Sequence, residues 1–453
     1  VYGTVSLSAI FWWLFIALHT YGGLPAGLAA LAVVALAATL SLYYAAACAA
    51  FFHLGREATP WHAGLVFAAL WTMAELARGT WFTGFGWGAG GYAHIEGPLA
   101  YFAPWIGVYG VGAVSAGAAM TIAHTLRKRQ WGRAGIIPGI MLLALGVPQS
   151  VNSWTSSAGS ISVHLLQGNI AQDEKFEPGT GIRDALQWYG DALLANQRGL
   201  VVAPETALPL LPQQLPPGYW DRLQAHFSQA GRAAMIGIPL GDYSSGYTNS
   251  LVGLQSGQPQ VWRYDKHHLV PFGEFIPPLF KWFTTLMQIP LGDFNRGELG
   301  QASFAVDGQR LAPNICYEDL FGEELAARFT NEALAPTMLV NVSNLAWFGD
   351  SVAIDQHLNI SRMRALEFQR PFIRATNTGS TSIMDHRGHV AAALPRFTRG
   401  VLDGTVEGRV GITPYASWVS RWGLWPVWLF ALAVVAVAWQ SVRRRKGILT
   451  NAS

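Results

Sequence analysis

Charge is what this chain has least of. Asp, Glu, Lys and Arg make up only 13% of its 453 residues, about half the share usual in a soluble protein. The shortfall is concentrated at the two ends. The net charge of +3 is too small to indicate a nucleic-acid partner. Cysteine is nearly absent as well, with Cys48 inside a long apolar run and Cys316 at the end of a short one. Two cysteines in such different settings do not suggest a structural disulfide, and no Cys/His spacing resembles a zinc site. G-x-S-x-G, P-loop and H-E-x-x-H motifs are missing, so serine esterase, nucleotide triphosphatase and zinc protease readings lack support. The chain starts at Val1 and not at Met, and the expectation is that a segment precedes it.

What the ends contain instead is apolar runs near the roughly 20 residues that cross a bilayer. They fall near 3–19, 24–50, 61–77, 101–123, 134–149 and 422–440. Trp and Tyr gather at several of their ends, as interfacial anchors do. Buried helices of a soluble bundle are the weaker alternative, because so many runs lack charge. Lys and Arg set the orientation. "LRKRQWGR" (126–133) and "RRRK" (443–446) should face the cytoplasm, and Arg56 in the loop 53–60 agrees in parity. Residues 150–420 then lie on the opposite side. The Gly- and aromatic-rich loop 78–100 falls with them, either shaping an entrance in the headgroup layer or serving as an ordinary interfacial loop.

From Ser160 the pattern changes to short β-rich runs bounded by Gly, Pro, Asn and Asp. Strands are expected at 160–170, 199–205, 233–240, 247–255, 260–271, 310–318, 337–344 and 371–384. Helices are expected at 182–197, 218–230, 322–330 and 352–370, the last with apolar residues returning every three or four positions. Alternating strands and helices, with hairpins at "VDGQR" and "DHRGH", predict a layered α/β domain.

Three reactive residue types stand where strands run out: Glu205 after "LVVAP", Lys266 after "VWRYD" and Cys316 after "LAPNI". Sites in open α/β sheets form at the carboxyl ends of strands. A cysteine nucleophile needs a base, since the free thiol is mostly protonated at neutral pH. A carboxylate serves as that base, and an ammonium stabilises the oxyanion of a tetrahedral intermediate. Together the three would suffice for acyl transfer through a thioester. Taken singly, each has an ordinary alternative: a core cysteine, a solvated Glu, a solvated Lys.

The wording around these positions carries more. "APETALP" (203–209), "YDKHHLVPFGEFIP" (264–277), "NICYEDLF" (314–321) and "SNLAWFGDS...QHLNISRMRALEFQRPFIRATNTG" (343–379) together resemble the apolipoprotein N-acyltransferases, a bacterial membrane branch of the nitrilase superfamily. The resemblance implies a multi-span α-helical membrane domain plus a nitrilase-like α-β-β-α sandwich. It divides the chain into a transmembrane domain (1–150) lacking its first spans, a periplasmic catalytic domain (158–412), a closing span (421–441) and a cytoplasmic tail (442–453). It implies Glu205 as general base, Lys266 as oxyanion stabiliser and Cys316 as the acylated nucleophile, with Glu274, Tyr317 and Glu318 in support. The implied reaction moves an acyl chain from a phospholipid, usually phosphatidylethanolamine, to Cys316. The chain then passes to the α-amine of a diacylglyceryl-cysteine at the start of an apolipoprotein. The setting is the inner membrane, and no metal or diffusible cofactor is implied.

Both substrates would be anchored in the bilayer, and water must be kept from the thioester. The apolar segment 277–294 and "NLAWFGDS" (344–351), with Trp347 and Phe348, would form lipid-contacting arms or else pack in the core. Phe176 stands where many relatives carry Trp, keeping an aromatic face without the indole N–H. His267 and His268 are expected to pack or hydrogen-bond locally. Arg362, Arg364, Arg370 and Arg374 would meet phosphate headgroups or lie on a solvated or salt-bridged helix face. Three alternatives remain: a membrane-tethered amidase with water as acceptor, a conjugation-associated relative with the same triad, and a non-catalytic scaffold.

Overall fold

The computed structural model describes residues 1–130, 135, 136, 139, 153–242, 244–258, 260–276 and 294–450. The expected span at 134–149 and nearly all of the segment 277–294 lie outside the described residues. The chain forms two compact units: Val1–Trp12, Ala30–Trp154 and Thr413–Ser453 in one, Trp13–Ala29 and Thr155–Ile412 in the other.

In the first unit, three helices are long and apolar enough to cross a membrane among the described residues: Ala26–Leu54, Pro98–Arg127 and Trp425–Arg445. The run expected as one span at 3–19 is interrupted between Phe11 and Leu14, and only the pair Tyr2–Phe11 and Leu14–Tyr21 taken together would make a fourth. The run expected at 61–77 does form a helix, Pro60–Thr80, but it is not among those three. Its composition is diluted by buried polar residues, Thr72, Glu75 and Arg78. These are paired inside the unit. Tyr44 donates to Glu75 at 2.7 Å, and Arg78 donates to the Phe85 and Trp87 carbonyls at 2.7 Å each. Hydropathy counts such residues against a span even where protein, not lipid, surrounds them. The same Arg78 bonds tie down the loop 78–100, in which Trp87 is buried while Phe82 remains 88% exposed. Arg127 donates to the Arg56 carbonyl at 2.9 Å and Lys128 to the Ala58 carbonyl at 2.8 Å. The two basic loops thus share one end of the unit, as the charge pattern requires.

The second unit is built on strands β1 (Ser156–Gln167), β2 (Gly199–Val202), β3 (Arg232–Asp242), β4 (Gly246–Gln255), β5 (Trp262–Asp265) and β6 (Phe304–Val306). They continue as β7 (Gln309–Ile315), β8 (Met338–Ser343), β9 (Phe372–Thr376), β10 (Ser382–Met384), β11 (Val390–Ala393) and β12 (Gly400–Val410). Two six-stranded sheets result, in the orders β12-β1-β2-β3-β4-β5 and β11-β10-β9-β8-β7-β6. Leu165, Val202, Met235, Ile315, Val340 and Ile373 from both sheets form one buried core between them. A second core lies between the first sheet and the helices Gly181–Ala195 and Tyr219–Phe227, with Leu193, Leu223 and Phe227 against Val201, Ile236 and Val252. The helix Val352–Phe368 covers β9 on the other side, giving the α-β-β-α layering.

β1, β2 and β3 run parallel, as do β7, β8 and β9. Strands buried on both faces read as continuous apolar runs, and β8 and β9 are buried throughout. The expected strand 260–271 stops at Asp265 and the expected strand 310–318 stops at Ile315, so Lys266 and Cys316 each begin a turn. The run 371–384 is two antiparallel strands, β9 and β10. β6 and β11 complete the hairpins expected at "VDGQR" and "DHRGH", whereas β12, which the sequence pattern did not indicate, forms one edge of the first sheet.

Arg370 follows the helix Val352–Phe368 and is buried. It donates to the carbonyls of Pro336 (2.5 Å), Phe368 (3.2 Å) and Gly411 (2.5 Å), joining three distant segments. Buried carbonyls left without donors cost about 1–3 kcal/mol each. Arg370→Ala should therefore destabilise the second unit by about 3 kcal/mol or more, read as a lowered thermal midpoint in detergent. Arg370→Lys should restore only part, because one ammonium cannot replace the guanidinium fork.

Candidate active site

The site lies at the carboxyl ends of β2, β5, β7 and β8. After β2 the chain turns through Pro204 and Glu205 to Thr206, whose φ is +49°. This turn presses on Gly237 of β3. A Cβ at Gly237 would come within 2.1 Å of the Pro204 carbonyl and 2.9 Å of Glu205 Cα. A residue without a side chain there lets the Glu205 turn seat on the sheet.

Two carboxylates, Glu205 and Glu274, share two donors. Lys266 Nζ is 3.3 Å from Glu205 Oε1 and 2.9 Å from Glu274 Oε1. Asn249 Nδ2, from β4, donates to the same two oxygens at 2.7 Å each. The second oxygen of Glu205 accepts from the Asn344 N–H at 3.0 Å, and that of Glu274 from the Val270 N–H at 2.9 Å. Burial alone would lower the pKa of Lys266, but Glu274 and then Glu205 outweigh it and hold the ammonium above its ordinary range.

Cys316 is half-buried and free. Its φ is +52°, in the left-handed region, at a cost of about 1–3 kcal/mol that the surroundings must offset. They do so at its carbonyl, which accepts from Asn341 Nδ2 at 2.9 Å and from His357 Nε2 at 3.1 Å. Arg374 Nη2 lies 2.9 Å from His357 Nδ1. A guanidinium can only donate, so Nδ1 accepts and the imidazole hydrogen sits on Nε2, facing Cys316. Asp319 completes the group, accepting from His357 Nε2 (2.9 Å) and Ser361 Oγ (2.5 Å). The pKa of the Cys316 thiol is pushed well up, by burial first and then by Glu205. Lys266 acts in the opposite sense. Burial and Glu205 thus both favour the thiol over the thiolate.

Of the expected supporting residues, Glu318 has the most specific place. Its Oε2 accepts from the Ile315 N–H (2.6 Å) and the Tyr264 hydroxyl (2.7 Å). Its Oε1 accepts from the N–H groups of His267 (2.7 Å) and His268 (3.1 Å). One carboxylate thus fixes Ile315, the residue before Cys316, to the residues around Lys266. Burial raises its pKa. Tyr317 packs edge-on against Phe321 and near His268. Trp347 and Phe348 meet Tyr21 and Trp13 edge-on, at 5.8 and 4.5 Å between ring centres. Phe176 is 51% exposed.

His267 and His268 bond locally, to the Gly297 carbonyl and to Glu324. The arginines take inward positions. Arg364 pairs with Glu367, Arg374 joins the Asp319 group, and Arg362 donates to the Gly388 carbonyl. A solvated face is thereby corrected for Arg364, Arg370 and Arg374, which are buried. Sequence reasoning missed Asn249, Asn344, His357 and Lys175. Asn249 stands between Thr248 and Ser250 in β4, and the others likewise sit among polar neighbours that hide them.

The family model described as carbon-nitrogen hydrolase matches residues 166–415, and that described as apolipoprotein N-acyltransferase N-terminal domain matches residues 1–121. An apolipoprotein N-acyltransferase of Verminephrobacter eiseniae is 57% identical over 453 residues, covering 94% of this chain and 82% of that protein. One of Ralstonia nicotianae is 47% identical over 439 residues, covering 96% and 83%. A solved CN-hydrolase superfamily protein from Xanthomonas campestris is 20% identical, with a TM-score of 0.42 over 55% of this chain and 90% of that one.

Glu318→Gln sets an amide NH2 against a backbone N–H in either orientation, that of Ile315 or those of His267 and His268. It should slow acylation of Cys316 about tenfold or more, the loss of at least one charge-assisted hydrogen bond. Single-turnover acylation followed by mass spectrometry measures this; an unchanged rate would show that the Glu318 clamp does not set the geometry.

Proposed function

The chain belongs to the apolipoprotein N-acyltransferase family, and from that premise we propose how its residues carry the reaction. It is an enzyme of the inner membrane, multi-pass, with its catalytic domain in the periplasm. It transfers an acyl chain from a phospholipid through a cysteine thioester to the α-amine of an apolipoprotein. The proposed division is a transmembrane part at 1–150, a catalytic domain at 158–412, a closing span at 421–441 and a tail at 442–453.

In the first step the Cys316 thiol gives its proton to Glu205 and its sulfur attacks the ester carbonyl of the donor, proposed to be phosphatidylethanolamine. Negative charge gathers on the carbonyl oxygen, where the Lys266 ammonium stabilises it. The carbon–oxygen bond to glycerol breaks, and the departing alkoxide takes the proton from Glu205, leaving a lysophospholipid and the thioester. In the second step the α-amine of a diacylglyceryl-cysteine gives a proton to Glu205 and attacks the thioester. The carbon–sulfur bond breaks, and Cys316 recovers its proton. Electrons and protons balance without metal or diffusible cofactor.

The observation that carries this reading is the sharing of Lys266 between Glu205 and Glu274, beside a cysteine whose pKa burial and Glu205 hold up. A base that is fixed by three donors and a nucleophile that stays protonated until substrate arrives suit a site that must not bind water or oxidants at rest. Glu274 supports by sharing Lys266, Glu318 by its clamp, and Tyr317 by packing under the turn. Phe176, Trp347 and Phe348 are proposed to contact acyl chains.

Intact-protein mass spectrometry tests the scheme. The full chain in detergent with phosphatidylethanolamine and no acceptor should gain one acyl mass that hydroxylamine removes and that a diacylglyceryl-cysteine peptide discharges as its N-acyl product. Cys316→Ala should abolish the adduct, and Glu205→Gln should slow it by about 100-fold or more, the usual share of a general base. Free fatty acid accumulating in place of the adduct would identify a hydrolase.

A further inference from the structure

Asn377, in "RATNTG" (374–379), takes no part in the proposed reaction, yet it is only 1% exposed. Its amide pairs with both backbone groups of Ile170. Nδ2 donates to the Ile170 carbonyl at 2.8 Å, and Oδ1 accepts from the Ile170 N–H at 3.0 Å. The Asn169 N–H donates to the Asn377 carbonyl at 2.6 Å. Asn169 has a φ of +48°, a conformation that persists only where the surroundings fix it. The Tyr189 hydroxyl, from the helix Gly181–Ala195, reaches the same Oδ1 at 3.3 Å. Ile170 follows β1 in the first sheet and Asn377 follows β9 in the second, so one residue brackets the two sheets. The bracket extends to Glu205. The Asn377 N–H donates to the Ser343 carbonyl at 3.0 Å, and its Nδ2 donates to Asn344 Oδ1 at 3.1 Å. These bonds fix the Ser343–Asn344 peptide, whose N–H donates to Glu205 Oε2 at 3.0 Å. The loop after β1 adds two more ties. Gln172 accepts from Asn344 Nδ2 at 2.7 Å, and the buried Lys175 donates to the Glu205 backbone carbonyl at 3.1 Å.

Such a ring of hydrogen bonds matters because Glu205 and Cys316 belong to different sheets. In the parallel neighbours β7, β8 and β9, Ile315 lies beside Val342 and Val342 beside Ala375. Cys316, Asn344 and Asn377 therefore leave the second sheet together, whereas Glu205 follows β2 of the first. Between the sheets lies the apolar core. Apolar packing is non-directional, and an error of about 1 Å in the placing of a catalytic group can cost about 100-fold in rate. Hydrogen bonds, with their narrow range of length and angle, supply the missing precision. We propose that Asn377 is a positioning residue of the acylation step, which registers the two sheets at the site and so sets the place of Glu205 relative to Cys316. This rests on the reading of Glu205 as base and Cys316 as nucleophile.

The test is a double-mutant cycle on single-turnover acylation of the full chain in detergent, with phosphatidylethanolamine as donor and mass spectrometry as readout. Asn377→Leu keeps the size of the side chain and removes its hydrogen bonds. It should lower the maximal acylation rate about tenfold, the effect of losing bonds that hold a catalytic group in place. The half-saturating donor concentration should not change. In the Glu205→Gln background the same substitution should cost about twofold or less, because a residue that acts through Glu205 has nothing left to position. An equal loss in both backgrounds would show general damage to the fold and overturns the proposal. So does an unchanged rate, or a raised half-saturating concentration at an unchanged maximal rate. If Asn377→Leu does not fold, Asn344→Ala takes its place in the cycle. It removes the side chain that Asn377 holds and keeps the backbone N–H on Glu205, and the same outcomes decide. Glu205→Gln alone is the separate control. A wild-type rate in that variant would count against Glu205 as base, which is distinct from a failure of the role given to Asn377.

Discussion

The ammonium of Lys266, held between Glu205 and Glu274, is the interaction on which the rest of the catalytic unit depends. Two buried carboxylates within reach of one oxygen pair would repel each other, and each ion taken from water costs several kcal/mol. Lys266 and Asn249 divide that cost by bonding to both. The arrangement also explains why the first sheet ends as it does. β4 must reach far enough to present Asn249, β5 must stop at Asp265, and the Lys266 N–H is bonded to the Asn249 carbonyl at 2.8 Å.

Directly behind Cys316 stand two carboxylates with different tasks. Glu318 turns toward the loop of Lys266 and accepts four hydrogens from it and from the end of β7. Asp319 turns toward the helix Val352–Phe368 and β9, where His357, Ser361 and Arg374 surround it. The first fixes Cys316 relative to Lys266. The second fixes the strained backbone of Cys316 through His357. A sequence of adjacent acids looks like a solvated turn, but here each acid is buried and each faces a separate network.

The membrane unit shows the same principle on a larger scale. Its apolar runs were legible because lipid demands length and hydropathy. The helix Pro60–Thr80 is the instructive case, since its Glu75 is bonded to Tyr44 and its Arg78 to the loop carbonyls at Phe85 and Trp87. Basic loops remained reliable guides to orientation, and the bonds from Arg127 and Lys128 to the loop at Arg56 and Ala58 bring them to one end.

By itself the sequence determined the layered α/β class, the apolar ends, and the residue types of Glu205, Lys266 and Cys316 at strand ends. Those properties are local, written in periodicity and in the breaks between runs. Strand length beyond Asp265 and Ile315, the inward turn of Arg364, Arg370 and Arg374, and the burial of Lys175 were decided only in the tertiary structure. The reason is distance along the chain. Lys266 meets Glu205 across 61 residues and Asn344 meets it across 139. No local pattern records which buried polar group will find which partner, because that is settled when parallel strands with distant sequence positions are brought side by side.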